Sequence, residues 1–425
     1  MKKIKIGVFG AYRGAIMVKY CLEAENAQVV AICDNSREII DYHKNAHKDF
    51  KITFYDNFDE FINHDMDAVV LANYATEHAP FAIKAMKAGK HVLSEVLPCQ
   101  TMKEAVELIE TVEETGKIYS YGENFCYMPA PYEMRRLYKE GIIGEFEYGE
   151  GEYIHNCEPS WPRLTKGDKT HWRNNLYSTF YCTHSIGPII HATGLRPVSV
   201  IGIEGTKNER NLRTGLRSGC FGMELITLSN GGVIKSLHGG LYIDSYWFSM
   251  YGSKGRVECD RDIPGNNRIR KVHLQYNDFS GDYGNQKISQ YIPERDHDDS
   301  SDKFGHGGSD FYIMWHFVEK IKGNPKADII DVYEAMDMFL PGMFAYRSIL
   351  NGSKVTEIPN LRDKAEREKW RNDTSCTDPK VAGDMLLPTC KTGTPDIPDA
   401  IYDITKANWE KVKDEVYKKR LPGKK

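Results

Sequence analysis

The sequence predicts an α/β protein of two unequal parts. A doubly wound parallel Rossmann sheet comes first, and an α+β domain with a large, mostly antiparallel open sheet follows. Three observations carry this. The chain opens on an apolar strand, a glycine turn, a helix, a second strand and an acidic residue. Strand-like and helix-like runs then alternate until Tyr121, giving six strands. Past Asn124 the alternation stops, and strand-like runs succeed one another with few helices between them.

The first apolar run, residues 4–9, ends on Gly10-Ala11-Tyr12-Arg13-Gly14, where a helical pattern begins. Residues 28–33 form the second strand, closed by Asp34. This is the layout of a dinucleotide-binding βαβ unit, whose glycine turn brings backbone N–H groups up to a pyrophosphate at a helix N-terminus. Asp34, about twenty residues beyond the turn, is placed to take the adenosine ribose hydroxyls and repel a 2′-phosphate, favouring NAD over NADP. The fingerprint is incomplete. Glycine is expected at 10, 12 and 15, and the chain has Gly10, Tyr12 and Ala15. Ala15 is an accepted third residue, but Tyr12 must either point away from the phosphates or cover the cofactor. The competing reading is an ordinary βα turn that holds no nucleotide.

The remaining elements follow in order. Residues 37–47 read as a helix, 52–55 as a short strand and 56–63 as a helix. Residues 67–72 read as a buried parallel strand whose end carries Asn73 and His78. A helix at 79–88, a strand at 90–94 ending on Glu95, a helix at 101–115 with Gly116 as its C-cap, and a strand at 118–121 complete the first domain, residues 1–123. Ligands of such sheets sit beyond the strand C-termini, where Gly10, Asp34, Asn73, His78, Glu95 and Glu123 all fall.

The second domain, residues 124–365, opens with a helix at 130–140 and an alternating strand at 145–155. A polar loop rich in Trp, Pro and Arg leads to an apolar helix at 183–193. Strand-like runs recur at 197–204, 220–229, 233–241, 247–251, 256–260 and 270–275. Residues 277–307 are polar and Gly-rich and read as a long loop over a site. Helices follow at 310–322 and 331–350. Residues 366–425, broken by Pro379, Pro388, Pro395 and Pro398, read as an arm around the body or a neighbouring subunit, with one helix at 404–418.

Composition narrows the function classes. A net charge of −4 and a pI of about 6.4 point to neither nucleic acid nor an anionic membrane. No apolar run is long enough to span a bilayer. The N-terminus enters a core strand at once, which leaves no room for a signal peptide and points to the cytoplasm. Ten scattered cysteines without a C-x-x-C fit reduced thiols. The chain has 25 tyrosines, more than a Rossmann protein needs; a carbohydrate pocket uses such rings, and so does an ordinary core. No metal site is expected: His184 and His191 lie about 10 Å apart along one helix, too far to share an ion.

Several ordered blocks resemble one family. Asp67-Ala-Val-Val-Leu-Ala, His78, Ala88-Gly-Lys-His-Val-Leu-Ser-Glu95 and Gly194-Leu-Arg-Pro-Val-Ser-Val200 are similar to the Gfo/Idh/MocA (glucose-fructose oxidoreductase, inositol dehydrogenase, rhizopine catabolism) oxidoreductases over roughly residues 3–360. The resemblance implies a Rossmann domain, NAD, and an open sheet that makes a homo-oligomer, dimer or tetramer. Two departures stand out. The family's dehydrogenases usually carry Glu-Lys-Pro where this chain has Glu95-Val96-Leu97-Pro98, and their Asp-x-x-x-His pair is replaced by Tyr181-Cys-Thr-His184-Ser-Ile-Gly-Pro188. Together with Glu123-Asn124-x-x-Tyr127, Gly151-Glu-Tyr153-x-His155, His171-Trp172-Arg173 and His306-Gly-Gly-x-Asp310, these resemble the NAD-dependent α-N-acetylgalactosaminidase branch. That branch implies oxidation at sugar C3, elimination across C2 and C1, addition of water and return of the hydride.

Carried onto this sequence, the resemblance implies Glu123, Tyr153, Tyr181 and His184 as catalytic residues. It implies Gly10, Ala11, Tyr12, Arg13, Gly14, Asp34, Asn73, His78, Glu95 and Asn124 at the cofactor, and His155, Trp172 and Arg173 at the substrate. Histidine exchanges protons near neutrality, which suits His184 to accept the C3 hydroxyl proton. Tyr153 would take the C2 proton if Arg173 and the cofactor lowered its pKa. Tyr181, three residues before His184, shares its helical face and is expected to hydrogen-bond substrate. Glu123 is expected to face the nicotinamide ribose or the substrate. The expected function is therefore NAD-dependent hydride transfer at C3 of a sugar or glycoside, with or without cleavage. The alternatives are a simple sugar or polyol dehydrogenase or keto-sugar reductase, and a non-catalytic NAD- or sugar-binding regulator.

Overall fold

The structure, a computed structural model, describes residues 2–261, 269–279 and 284–421. Six parallel strands make the first sheet: β1 Ile4–Phe9, β2 Ala27–Cys33, β3 Thr53–Tyr55, β4 Ala68–Leu71, β5 His91–Ser94 and β6 Tyr119–Tyr121, in the order β3-β2-β1-β4-β5-β6. Helices α1 Ala15–Glu23, α2 Arg37–Ala46, α3 Phe58–Phe61, α4 His78–Lys87 and α5 Met102–Thr115 run between them. The order reverses direction between β1 and β4, so the crevice beyond their C-termini is the place for a ligand. β4 is buried on both faces, as an apolar run without alternation requires. α5 has matched end signals. The Thr101 hydroxyl accepts the Glu104 N–H, the Glu104 carboxylate accepts the Gln100 N–H, and Gly116 ends the helix at φ 61°.

The second domain is a nine-stranded sheet. Its strands are β7 Phe146–Ile154, β8 Pro197–Glu204, β9 Phe221–Leu228, β10 Val233–Gly239, β11 Ser245–Gly252, β12 Gly255–Cys259, β13 Val272–Asn277, β14 Gln286–Tyr291 and β15 Thr356–Glu357, ordered β14-β13-β12-β11-β7-β10-β9-β8-β15. Every pairing is antiparallel except β7 with β10. Helices α6 Pro129–Lys139, α7 Trp161–Thr165, α8 Cys182–Thr193 and α9 Glu209–Leu212 precede β9; α10 Asp298–Ser301, α11 Ser309–Ile321 and α12 Val332–Leu350 follow β14.

α8 is buried along its length and packs on β7, β10 and α12. It approaches β7 so closely that a Cβ on Gly151 would sit 1.6 Å from the Ser185 carbonyl oxygen, so only glycine fits there. The segment 277–307 is not a loop throughout. It contains β14, paired along β13, and α10; β14 is a polar edge strand with no apolar alternation to announce it. Residues 280–283 of that segment lie outside the described ones.

The chain ends in α13 Lys364–Trp370, α14 Pro379–Ala382 and α15 Asp399–Arg420. α15 has 22 residues and lies against α7. Among the described residues no helix is long and apolar enough to cross a membrane. All ten cysteines are free, nine of them buried.

Candidate active site

One cavity of about 660 Å³ lies between the two sheets' ligand-facing ends, bounded by Asp34 on the Rossmann side and by Tyr153 and His184 on the other. Of the residues expected at the site, Gly10, Tyr12, Arg13, Asp34, Asn73, His78, Glu95, Asn124, Tyr153, His155, Trp172, Arg173, Tyr181 and His184 line it. Ala11, Gly14 and Glu123 do not.

The glycine turn is built by backbone contact. Gly10 has φ 86°, and a Cβ there would lie 2.4 Å from the Ala72 carbonyl at the end of β4. The Ala11 N–H donates to the Asp34 carboxylate at 2.7 Å, and the Ser36 N–H donates to its other oxygen at 2.8 Å. Burial pushes the Asp34 carboxyl up, and these N–H donors pull it back. Beneath the turn, His43 Nε2–H donates to the Ala11 carbonyl at 3.0 Å. Ala11 and Gly14 therefore shape the turn from behind.

Tyr12, standing where the second glycine is expected, turns its ring toward α15, 6.0 Å from the ring of Tyr417. Arg13 forms an ion-pair network. Its guanidinium lies 2.6 Å from Glu95 and 3.0 Å from Asp310, and Asp310 also faces His306 at 3.0 Å. Burial pushes both carboxyls up. At Asp310, Arg13 and His306 outweigh that, and it titrates far below the usual range. At Glu95, burial outweighs Arg13 and the carboxyl stays raised. A cation thus stands beside Glu95 although Val96 occupies the lysine position.

His78 Nδ1–H donates to the Leu97 carbonyl at 2.8 Å, tying α4 to the segment after β5, and burial lowers its pKa to about 4. Along the cavity wall, buried polar atoms of Tyr12, Asn73, Asn124, Trp172, Tyr177 and Ser178 have no hydrogen-bond partner among the described residues. Buried polar groups are normally paired, so this wall is shaped for a polar ligand. With Asp34 at one end and a glycine turn at the first strand, the residues fit a bound dinucleotide.

The opposite end holds His184, Tyr181 and Tyr153. His184, on α8, pairs through Nδ1 with Glu123 Oε1 at 2.8 Å. The carboxylate is acceptor-only, so Nδ1 carries the hydrogen and Nε2 is left as the proton-accepting nitrogen. Glu123 is fully buried, and its carboxylate also accepts from Thr183 Oγ1 at 2.9 Å and Phe125 N–H at 3.2 Å. It therefore does not face ribose or substrate as expected. It stands behind His184, because three donors from its own loop and from α8 occupy both oxygens.

The Tyr181 ring stacks on His184 at 5.5 Å and 13°, and the Tyr153 ring approaches it at 4.5 Å. Burial pushes both tyrosine hydroxyls up, with Arg173 pulling the other way. The resting Tyr153 is thus protonated. Arg173 lies over Trp172 at 4.4 Å and Tyr181 at 5.7 Å. His155 Nδ1 shares a hydrogen bond with the Tyr246 hydroxyl at 2.7 Å and lies 3.4 Å from Asp244; burial lowers its pKa, but Cys157 and Asp244 outweigh that and raise it.

Some site residues escape a reading of the sequence. Asp310 belongs to a recognisable motif, but nothing local gives it a role. His238 lines the cavity and pairs with buried Glu224 at 2.7 Å. A signal for that pair exists: the Asn230-Gly231 turn between β9 and β10 places 224 opposite 236, hence diagonal to 238 on one face. Cys182 joins them in a fully buried trio whose ligand-type atoms lie within 4.8 Å of one another. Trp409 and Tyr417 also line the cavity, and nothing in their polar surroundings marks them.

Comparison with known proteins agrees with this fold. Residues 4–123 match the NAD-binding Rossmann fold of the Gfo/Idh/MocA oxidoreductase family, and residues 271–371 match the C-terminal domain of glycosyl hydrolase 109. Residues 4–123 thus form a Gfo/Idh/MocA-type NAD-binding domain. A glycosyl hydrolase family 109 protein from Solibacter usitatus is 26% identical over 403 residues, covering 87% of this chain and 89% of its own. An alpha-N-acetylgalactosaminidase from Shewanella oneidensis is 23% identical over 404 residues, covering 85% of each chain. In fold, the chain is similar to the aldose-aldose oxidoreductase of Caulobacter crescentus (TM-score 0.66, 18% identity, 84% and 100% covered). It is similar also to the scyllo-inositol dehydrogenase of Lactobacillus casei solved with NAD(H) and scyllo-inositol (TM-score 0.64, 16% identity, 85% and 100% covered). The chain is thus an enzyme with a Gfo/Idh/MocA-type NAD-binding domain, and its second domain carries the likeness to glycosyl hydrolase 109.

Proposed function

We propose that this chain acts on a sugar or glycoside, oxidising C3 and cleaving the glycosidic bond by elimination and hydration. The observation that carries the reading is the buried Glu123–His184 pair, which opens on the same cavity as the Asp34 turn. NAD held in that cavity supplies a hydride acceptor that can return the hydride at the end of the cycle. Gly10, Asp34, Asn73 and Asn124 would hold it, Asp34 through the ribose hydroxyls.

His184 Nε2 takes the C3 hydroxyl proton, and Glu123 stabilises the imidazolium that forms. A C3 ketone acidifies the C2 proton. Tyr153, beside His184, is a candidate to receive it; its resting hydroxyl is protonated, so it must first release that proton to water, with Arg173 stabilising the phenolate. Loss of that proton expels the C1 substituent, and water adds to the resulting double bond. Tyr181, Trp172, Arg173 and His155 supply stacking faces and hydrogen bonds for the sugar.

The second reading, a sugar or polyol dehydrogenase, is favoured by the fold neighbours and opposed by Val96 at the lysine position. Turnover in D₂O separates the two. Deuterium at C2 of the released sugar is expected from elimination, whereas its absence, with net nicotinamide reduction, leaves the dehydrogenase. A cytoplasmic site of action and a homo-oligomer belong to the same proposal. Exposed Ile203, Leu225 and Tyr251 on the second sheet suit a subunit contact.

A further inference from the structure

α15 lies beside the cofactor end of the cavity. On one side it rests on the second domain: Tyr402 donates its hydroxyl hydrogen to the Gly215 carbonyl at 3.3 Å, and the turn at Gly167 packs against the backbone at Lys406. On the other it reaches the Rossmann domain through Tyr417, whose ring lies 6.0 Å from Tyr12, 5.4 Å from Tyr42 of α2 and 5.4 Å from Trp409. Tyr417 and Trp409 line the cavity together with Asp34, Ser36 and Ile39. Lys166 extends over Trp409 at 5.9 Å and also acts on the Asp34 carboxylate. The buried Tyr12 hydroxyl has no partner among the described residues. An aromatic cluster packed edge to face, with the Tyr12 hydroxyl at its rim, therefore stands beside the ribose-binding acid. Purine bases stack on such rings.

We propose that Tyr417 and Trp409 of the C-terminal helix, with Tyr12 of the glycine turn, form the adenosine subsite, so that α15 straps the dinucleotide in place. The inference rests on the NAD reading above. It accounts for the aromatic replacement of the second glycine, since the turn loses a close phosphate approach at that residue and gains a ring against the strap. A cofactor regenerated within each cycle has no need to leave, and a domain-bridging helix over its adenosine end makes departure slow.

The test uses the full chain. NADH release is followed by fluorescence after mixing with excess NAD, and bound nicotinamide per chain is counted after extensive gel filtration. Tyr417→Ala and Trp409→Ala are expected to release NADH about tenfold or more faster, as loss of a stacking ring implies, and to lose nicotinamide on the column. Tyr417→Phe and Trp409→Phe are expected to keep slow release. Unchanged release from well-folded alanine variants overturns the strap and leaves the NAD reading standing. A wild-type chain that binds no NADH overturns both. Should the alanine variants fold badly, hydrogen exchange on the wild-type chain decides: slower exchange along 399–420 on NADH addition is expected, and no change defeats the proposal.

Discussion

His184 Nδ1 and Glu123 Oε1 meet at 2.8 Å across 61 residues of sequence, joining the end of the Rossmann sheet to the central helix of the second domain. The two domains therefore share one proton-handling unit. His184→Ala is expected to lower kcat by about 10²–10⁴, the usual worth of a general base. Glu123→Gln removes the charge behind the imidazole while leaving the cavity wall unchanged. It is expected to lower kcat by about ten- to a hundredfold with little change in KM. Steady-state kinetics on a chromogenic glycoside reads both, and a Glu123→Gln effect confined to KM would refute the positioning role.

Arg13 is the cation between two buried carboxylates. Arg13→Met leaves Glu95 and Asp310 facing each other without it, and is expected to cost about 3 kcal/mol or more in urea unfolding. Arg13→Lys restores charge but not the fork that reaches both partners, and should recover only part of the loss. Equal stability of Arg13→Met and the wild type would contradict the network.

Buried histidines set a pH dependence. Burial lowers His43, His78, His171 and His316 to about 4. Between about 4 and 6.5 the unfolded chain binds these protons and the folded chain does not, so stability rises with pH across that window. Going down, it is lost from about 6.5 until the folded groups protonate. His191 works in the opposite direction: burial would lower its pKa, but Glu334 and Asp328 raise it, and its contribution fades as pH rises. Urea midpoints from pH 7 to 4 should fall steadily. His43→Gln keeps a donor for the Ala11 carbonyl and should flatten that slope by about one proton's worth.

Gly151 permits the contact between β7 and α8. Gly151→Ala places a methyl group inside van der Waals distance of the Ser185 carbonyl and must push strand and helix apart. A loss of about 3 kcal/mol or more is expected, with activity falling further than stability because Tyr153 and His184 separate. Thermal melting and kcat on one preparation test this, and an active, fully stable variant would defeat it.

The Rossmann half was legible because parallel strands buried on both faces appear as continuous apolar runs, and β1, β2, β4 and β5 are followed by Gly10, Asp34, Asn73 and Glu95, which line the cavity. Asp34 needed only the βαβ spacing. In the second half, strand positions were readable from alternation, but pairing was not. Nothing local makes β7 lie parallel to β10, and that pairing sets Tyr153 beside His238. β14 reads as loop because its residues are exposed and polar, so no period marks it. Glu123 was legible as a site residue but not as one behind the wall. Its direction depends on Thr183 and Phe125, one of them far along the chain. Trp409 and Tyr417 sit in a helix whose pattern reads as amphipathic packing, and only the tertiary course of the chain brings them to the cavity.

The close approach at Gly151 also divides the cavity into two kinds of wall. Tyr153 and His184 are registered to each other by main-chain contact between a central strand and a central helix, so neither can shift alone. Arg173, Trp172, Leu176 and Cys157 come instead from the connection between β7 and α8, and Leu216, Ser218 and Gly219 from that between α9 and β9. Such connections change length and composition without disturbing a sheet. The fold thereby separates a reaction that stays fixed from a recognition surface free to diverge. On the proposed function, a chain of this architecture can change the sugar it accepts while keeping His184 in the same place.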